Sequence, residues 1–460
     1  MNEKVYEDLK KIVGDDWVIK EKELMERYLK DETVPSLVPK VAEESIVVKP
    51  ENTEEISELM KYANENIIPI IPRGSGTGLV AGVVPTEDSI ILSTERLNKI
   101  IDLDKKNYTI TCEAGVTLEK LIETLEEDSD LFFPIHPGDE GATLGGMVIN
   151  NAGGAKAVKH GVMRNHVRGV KFITPTGEIM KLGGKTLKNV AGYDLLHLII
   201  GSEGTLGIIS EVTLSVEPEP EFQATLLVGF NERKSAISAV PELMKTGNKP
   251  LAVEYIERDM AEMAADHLGE TWPLNKGEVD LMIVLAENDQ DLLYNQAMRI
   301  EEICQEFGSV ESVIAERKED QESILTIRSN IDTATKKEDL ADDVDAAVPP
   351  AYIDEFLNDL LEIFNEYDAK LSAYGHAADG NLHIYIYKED GHIPEYYQEL
   401  KERFYKTALK YGGTIAAEHG IGKTKKADLP LQLNEFEINL MRKIKNVFDP
   451  NNIMNPDTIF

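Results

Sequence analysis

The stretch YGHAADGNLHIYIY sets two imidazoles, His376 and His383, around Asp379-Gly380-Asn381, and AAEHGIG later adds Glu418 and His419. Two histidines and one carboxylate can bind a divalent cation and still leave coordination positions open for a substrate. Asp-Gly-Asn favours a tight turn, and residues 382–387 alternate as a strand does, so a hairpin would bring both imidazoles to one point. Neighbours on an extended segment point opposite ways, which would give Glu418 and His419 separate tasks. Histidines that cap turns or close hydrogen bonds in a core leave the same pattern, so at this level both readings stand.

A second group of residues suits an anion. PRGSGTGLVAG, residues 72–82, carries Gly74, Gly76, Gly78 and Gly82 directly after an apolar run. A Rossmann fingerprint needs G-x-G-x-x-G opening a helix. Here the first three glycines alternate, and Gly82 and Pro85 follow too soon for a helix to begin. Such a loop can act as a nest, its backbone N–H groups converging on one oxyanion, with Arg73 adding charge; a purely structural turn is the other reading. HPGDEGATLGGMVINNAGGAKAVKHG (136–161) and GYDLLHLIIGSEGTLGIISEVTL (192–214) repeat the glycine-rich pattern. Three such turns suit a long dinucleotide bound mainly through main chain.

These residues need elements to position them. Residues 1–37 read as a helical segment. From 38 to 217, short β-branched runs such as IIPIIP, SIILST and YTITCEAG alternate with glycine turns, the pattern of an α+β domain. EPEPE, residues 217–221, has the composition of a linker. Residues 218–415 mix strands (FQATLLVGF, VDLMIVLAE) with helices at 3.6-residue periodicity (DLLYNQAMRIEEICQEFG), forming a second α/β unit. Residues 416–460 hold an amphipathic helix that stops at Asp449-Pro450.

Composition narrows the partners. The chain has 460 residues and a formal charge of −35, which argues against nucleic acid or an anionic membrane surface and allows a basic protein partner. Two cysteines without CxxC spacing suit a reducing cytoplasm and provide no cysteine-ligated zinc site or iron–sulfur cluster. The charged, amphipathic start is no signal peptide, and no apolar run is long enough to span a bilayer. The expected location is cytoplasmic.

PRGSGTGL, PGD…ATLGGMVINNAGG and GSEGTLGIISEVTL, in that order, resemble the FAD-binding domain of the vanillyl-alcohol oxidase and p-cresol methylhydroxylase superfamily. More narrowly, they resemble its D-lactate, glycolate and D-2-hydroxyglutarate dehydrogenase branch. The likeness runs through to FDPNNIMNP at residues 448–456. It implies an α+β fold: a two-part FAD-binding domain of the p-cresol methylhydroxylase type, an α/β substrate (cap) domain, and a C-terminal segment returning to complete the active site. It also implies that Arg73, Gly74, Ser75, Gly76 and Thr77 hold the FAD pyrophosphate, flanked by Pro72 and Gly78. Pro137, Gly138, Thr143, Gly145, Gly146, Asn151, Gly153, Gly161, Gly204, Ile209 and Asn455 would lie along the rest of the cofactor. No histidine occurs between residues 67 and 90, where some relatives attach the flavin covalently, so non-covalent FAD is expected.

GHAADGNLH and AEHGIG match metal-site motifs of that branch. The resemblance therefore makes His376, His383 and Glu418 ligands of a divalent metal (zinc, iron or manganese), with Asn381 nearby and His419 as catalytic base. Arg328 in ILTIRSNIDTA, by itself a solvated helix charge, matches the branch's carboxylate-binding arginine. The stretch LADDVDAAVPP is acidic where the hydroxyglutarate enzymes carry a lysine, which favours a monocarboxylate such as lactate. The resemblance further implies electron-transferring flavoprotein or another soluble carrier as electron acceptor. A non-redox transferase of the same superfamily would share the cofactor motifs, and a subunit binding FAD or metal for assembly alone would tolerate loss of His419.

Overall fold

The runs IVV, IIPR and IILS are β-branched and bounded by polar or glycine-rich turns, and each forms a strand: Ile46–Val48, Ile70–Arg73 and Ile90–Ser93. The computed structural model describes residues 1, 3–247, 249–336 and 339–460. The chain divides into two units, one made of Met1–Gly153, Val162–Glu219 and Glu418–Phe460, the other of Gly154–Gly161 and Pro220–Ala417.

In the first unit, Ile46–Val48 and Ile70–Arg73 both run parallel to Ile90–Ser93, which lies between them. Parallel neighbours need a crossover, and the helix Thr53–Asn66 supplies one. Asn52 starts it by accepting from Glu55 N at 2.9 Å, and Ile56, Leu59, Met60 and Ala63 recur at helical spacing on its buried face. Each large apolar side chain on that face contributes roughly 1.5–3 kcal/mol. Residues 74–89, all described, form a loop between two of these strands, as the alternating glycines predict. A second, antiparallel sheet orders Ile100–Asp104, Thr109–Glu113, Ile208–Ser215, Val167–Ile173 and Ile179–Gly183, over a core that includes Leu118, Leu121, Leu144 and Val148.

Two local expectations change. The helical segment expected over residues 1–37 has one long helix, Glu3–Val13, followed by a two-residue strand, Val18–Ile19, the short helix Lys22–Met25 and single helical turns. The chain there alternates charged residues with isolated apolar ones too sparsely to sustain a second amphipathic stripe. The linker-like EPEPE also begins in a sheet, since Glu217–Pro218 pairs antiparallel with Leu131–Phe132. Proline is compatible with such a short edge pairing.

The second unit is built on seven strands, every neighbour antiparallel: Ser309–Ala315, Phe222–Phe230, Val279–Glu287, Ala252–Glu257, Ser372–His376, Asn381–Tyr387 and Leu340–Ala347. The helices Arg233–Leu243, Gln290–Glu306 and Ile353–Glu366 each carry one buried apolar face. Asp280, fully buried, holds the Arg258 guanidinium through two hydrogen bonds, 2.7 Å from Nε and 2.6 Å from Nη2, and accepts from Trp272 Nε1 at 2.8 Å.

Glu257 ends the strand Ala252–Glu257 and accepts from Ala373 N at 3.2 Å. Burial, with Asp259 adding its negative field, pushes its carboxyl up to about 7 from an ordinary value of 4.5. The fold therefore binds this proton more tightly than the unfolded chain does, and stability falls as pH rises from about 4.5 to about 7. Glu257→Gln, which keeps the acceptor oxygen, should stabilise the protein by about 1–3 kcal/mol at pH 8 and leave it nearly unchanged at pH 4. Chemical denaturation at the two pH values measures this, and equal effects at both would refute it.

Candidate active site

The first unit holds a cavity of about 240 Å³ that opens to solvent. All three glycine-rich turns reach its wall. Pro72, Arg73, Gly74, Ser75, Gly76, Thr77 and Gly78 line one side, Pro137, Thr143, Gly145, Gly146 and Gly153 another, and Gly204, Ile209 and Asn455 a third. Gly138, Asn151 and Gly161 are not among the lining residues. Asn151 instead caps the helix Leu144–Asn150 in the left-handed conformation, and its Oδ1 accepts from Arg164 N at 3.0 Å. Gly161 ends the short helix Ala157–His160 of the second unit.

Arg73 is placed differently from what its charge suggested. Its guanidinium is buried and donates to the carbonyls of Arg27 and Lys30, both at 2.8 Å, and of Ser75 at 3.3 Å. Burial pushes its pKa down from the ordinary value, with Asp31 opposing. The side chain thus braces the loop from behind, leaving main chain, Ser75 and Thr77 as the loop's polar contribution to the wall. Gly76 has φ +84°, and a Cβ there would lie 2.2 Å from Arg73 Nη2, so the brace itself requires glycine.

Two wall atoms test whether FAD fits. Thr143 Oγ1 and Asp31 Oδ2 are buried without a hydrogen-bond partner among the described residues, and both residues line the cavity. A buried polar atom left unsatisfied costs about 1–3 kcal/mol. A ligand bearing phosphate oxygens and ribose hydroxyls supplies an acceptor for the threonine and a donor for the aspartate. Burial raises the pKa of Asp31. The residues therefore fit a flavin dinucleotide.

The C-terminal segment reaches the same wall. Residues 417–419 bend rather than extend, and Glu418 and His419 both line the cavity, so strand alternation does not separate them. Glu203 holds the following turn, its carboxylate accepting from Ile421 N at 3.0 Å and Gly422 N at 2.7 Å. Burial raises the pKa of Glu203 despite those two bonds. Asn455 Nδ2 donates to Gly82 O at 3.0 Å and Glu203 O at 2.9 Å, while Lys423 Nζ reaches Asn455 Oδ1 at 3.1 Å. Burial pushes Lys423 down to about 8. A Cβ at position 153 would lie 3.0 Å from Glu418 Oε2, so Gly153 leaves room for that carboxylate. Sequence reasoning missed Glu203 and Asp31. The first stood between two noted glycines as the one acidic residue of IIGSEGTLG, and the second lay in a segment with no signal at all.

In the second unit, strands Ser372–His376 and Asn381–Tyr387 form the expected hairpin. Gly380 makes its turn at φ +87°, where a Cβ would strike Val348 O at 1.8 Å. Register pairs Tyr374 with His383 and His376 with Asn381, so all four share one face of the sheet. The two imidazole rings lie 5.8 Å apart between centroids, nearly perpendicular, and both are buried. From that spacing one nitrogen of each can reach a common ion. The same face carries Asp345, opposite His383, and Glu254, opposite His376. Asp345 accepts from Asn381 Nδ2 at 2.8 Å and from Ala417 N at 2.9 Å.

Arg328 lies in the last turn of the helix Lys318–Ser329. Its Nε donates to Glu254 Oε2 at 2.8 Å and its Nη2 donates to the same oxygen, while Glu254 Oε1 faces His376 Nδ1 at 2.7 Å. Burial opposes ionisation of Glu254, but Arg328 and His376 outweigh it and hold the carboxyl at about 2. The guanidinium edge that sequence reasoning reserved for a substrate carboxylate is thus occupied by Glu254.

Residues 219–459 match the family model "FAD linked oxidases, C-terminal domain", and residues 45–183 match "FAD binding domain". The chain is 39% identical to the D-lactate dehydrogenase of Archaeoglobus fulgidus, over 94% of this chain and 95% of that one. It is 33% identical to glycolate oxidase subunit GlcD of Bacillus subtilis, over 90% and 88% of the respective chains. The solved structure of p-cresol methylhydroxylase with substrate bound superposes with a TM-score of 0.79, at 16% identity, covering 99% of this chain and 96% of that one. At that identity the likeness concerns the fold.

Proposed function

The chain belongs to the FAD-linked oxidases, in the branch of the D-lactate, glycolate and D-2-hydroxyglutarate dehydrogenases, and on that premise we propose that it oxidises a small D-2-hydroxy acid, D-lactate to pyruvate foremost. One observation carries the reading: Glu418 and His419 stand in the wall of the cavity whose glycine turns fit the cofactor.

The main chain of residues 74–78 would hold the pyrophosphate, with Thr143 and Asp31 satisfied by the same ligand, bound non-covalently. His376, His383 and Glu418 would hold a divalent ion (zinc, iron or manganese). Bound flavin supplies a two-electron acceptor, and a bound divalent ion supplies Lewis acidity that makes the substrate hydroxyl more acidic. His419 takes the hydroxyl proton at an imidazole nitrogen, and the turn clamped by Glu203 keeps that ring in the cavity wall. A substrate carboxylate meeting Arg328 has to share it with Glu254, so Arg328 contributes positive charge more than a dedicated two-bonded fork.

Electrons would leave to a soluble carrier such as electron-transferring flavoprotein, within the cytoplasm. Among the described residues no helix is long and apolar enough to cross a membrane. Burial pushes both cysteine thiols, Cys112 and Cys304, up to about 12, which keeps them protonated and unreactive.

Steady-state assay with an artificial electron acceptor, using D-lactate, L-lactate, glycolate and D-2-hydroxyglutarate in turn, tests the substrate. D-lactate is expected to give the highest kcat/KM, with pyruvate formed in step with acceptor reduction. A higher value for D-2-hydroxyglutarate would show that the acidic stretch at residues 340–350 does not exclude a second carboxylate.

A further inference from the structure

We propose that Glu254 is a positioning residue that decides which nitrogen His376 offers to a metal ion, and that Arg328 anchors Glu254 for that task. The inference rests on the metal reading above.

The antiparallel register seats Glu254 directly opposite His376, on the same sheet face. Glu254 is fully buried, and its two oxygens divide their work. Oε1 lies 2.7 Å from His376 Nδ1, while Oε2 takes both Nε and Nη2 of Arg328. A carboxylate flanked by a guanidinium accepts, so Nδ1 carries a proton and only Nε2 is left to meet a metal. A negative acceptor on the far nitrogen also makes an imidazole a stronger metal donor and fixes its plane.

Arg328 does two further things from the same place. It neutralises Glu254 where an uncompensated buried charge would be costly, and its guanidinium sits 5.0 Å from the centre of the Tyr374 ring. Tyr374 in turn lies against His383, ring centres 5.0 Å apart. One arginine thus braces both imidazoles, His376 through a carboxylate and His383 through an aromatic ring. A simple buried ion pair would account for Oε2 and leave Oε1 unexplained.

Zinc affinity tests this apart from turnover. Flavin-loaded protein is stripped of metal by a chelator, then titrated with Zn²⁺ against a chromogenic competitor, as wild type, Glu254→Gln, Glu254→Ala and His376→Ala. Glu254→Gln should weaken zinc binding about tenfold and Glu254→Ala about 100-fold, with flavin content unchanged. If both Glu254 variants bind zinc as wild type does while His376→Ala loses it, the metal reading stands and the role of Glu254 is overturned. If His376→Ala itself binds zinc as wild type does, the metal reading fails and the inference with it. The ring ¹⁵N resonances of His376 in the metal-free wild type give an answer that needs no variant. A proton on Nδ1 is expected, and an Nδ1 without one would overturn the proposal.

Discussion

His419→Ala should lower kcat for D-lactate by about 10²–10⁴-fold while the protein keeps its FAD and its metal. The expectation follows from position. His419 lines the cofactor cavity, its turn is fastened by the Glu203 carboxylate two residues on, and the mechanism asks it for the hydroxyl proton. Removing the imidazole takes away a proton acceptor and little packing, since the residue is only half-buried. Flavin absorbance and thermal melting should therefore match wild type. Pre-steady-state reduction of the flavin by D-lactate is the appropriate readout, because it isolates the oxidative half-reaction from delivery of electrons to an acceptor. A rate within a few-fold of wild type would remove His419 from the chemistry, as would a loss of activity accounted for by lost FAD.

His383→Ala should have an effect as large by a different route. With one imidazole gone, a two-histidine, one-carboxylate set keeps two protein ligands, too few to retain zinc against a chelator. Metal content is expected to fall from about one ion per chain to under roughly a tenth, and flavin reduction by D-lactate to fall with it. Elemental analysis after dialysis measures the first and anaerobic mixing the second. The variant also leaves a gap beside Tyr374, whose ring lies 5.0 Å from that of His383, so some loss of stability accompanies it. Full metal content in His383→Ala would show that the ion is held elsewhere. Full flavin reduction with the metal gone would show that it is not needed.

Much of this was legible in the residue pattern, for identifiable reasons. Alternating glycines in place of G-x-G-x-x-G excluded a helix after residue 78, and residues 74–89 form a loop. Asp-Gly-Asn between two alternating runs specified the hairpin, because its glycine must reach a positive φ that other residues avoid. FQATLLVGF, LAVEYIE and VDLMIVLAE read as strands and form Phe222–Phe230, Ala252–Glu257 and Val279–Glu287. What escaped was chosen by tertiary neighbours. Arg73 looked like a phosphate ligand because arginine usually is one in such a loop, yet nothing local reveals that the carbonyls of Arg27 and Lys30 surround it. Arg328 reads by resemblance as a substrate clamp, and its pairing with Glu254, distant in sequence, leaves no local signal. Glu254 itself sits in LAVEYIE, where alternation marks it only as one more position on a strand. A fully buried carboxylate declares itself once the register places a histidine opposite and an arginine behind. The Glu203 clamp was hidden in the same way, since its partners are backbone amides of a segment more than two hundred residues away.

On the proposed function, flavin bound in the first unit would accept the hydride of a D-2-hydroxy acid while His376, His383 and Glu418 would hold the metal ion. The most direct test is anaerobic mixing of the FAD-loaded protein with D-lactate or L-lactate, before and after removal of metal, watching the visible absorbance of the flavin. Rapid bleaching by D-lactate is expected in the metal-loaded protein, with slow or no bleaching by L-lactate, and loss of the D-lactate signal on chelation with recovery on adding Zn²⁺ or Mn²⁺. Flavin that stays oxidised with D-lactate, glycolate and D-2-hydroxyglutarate alike, in protein shown to contain both FAD and metal, would contradict it.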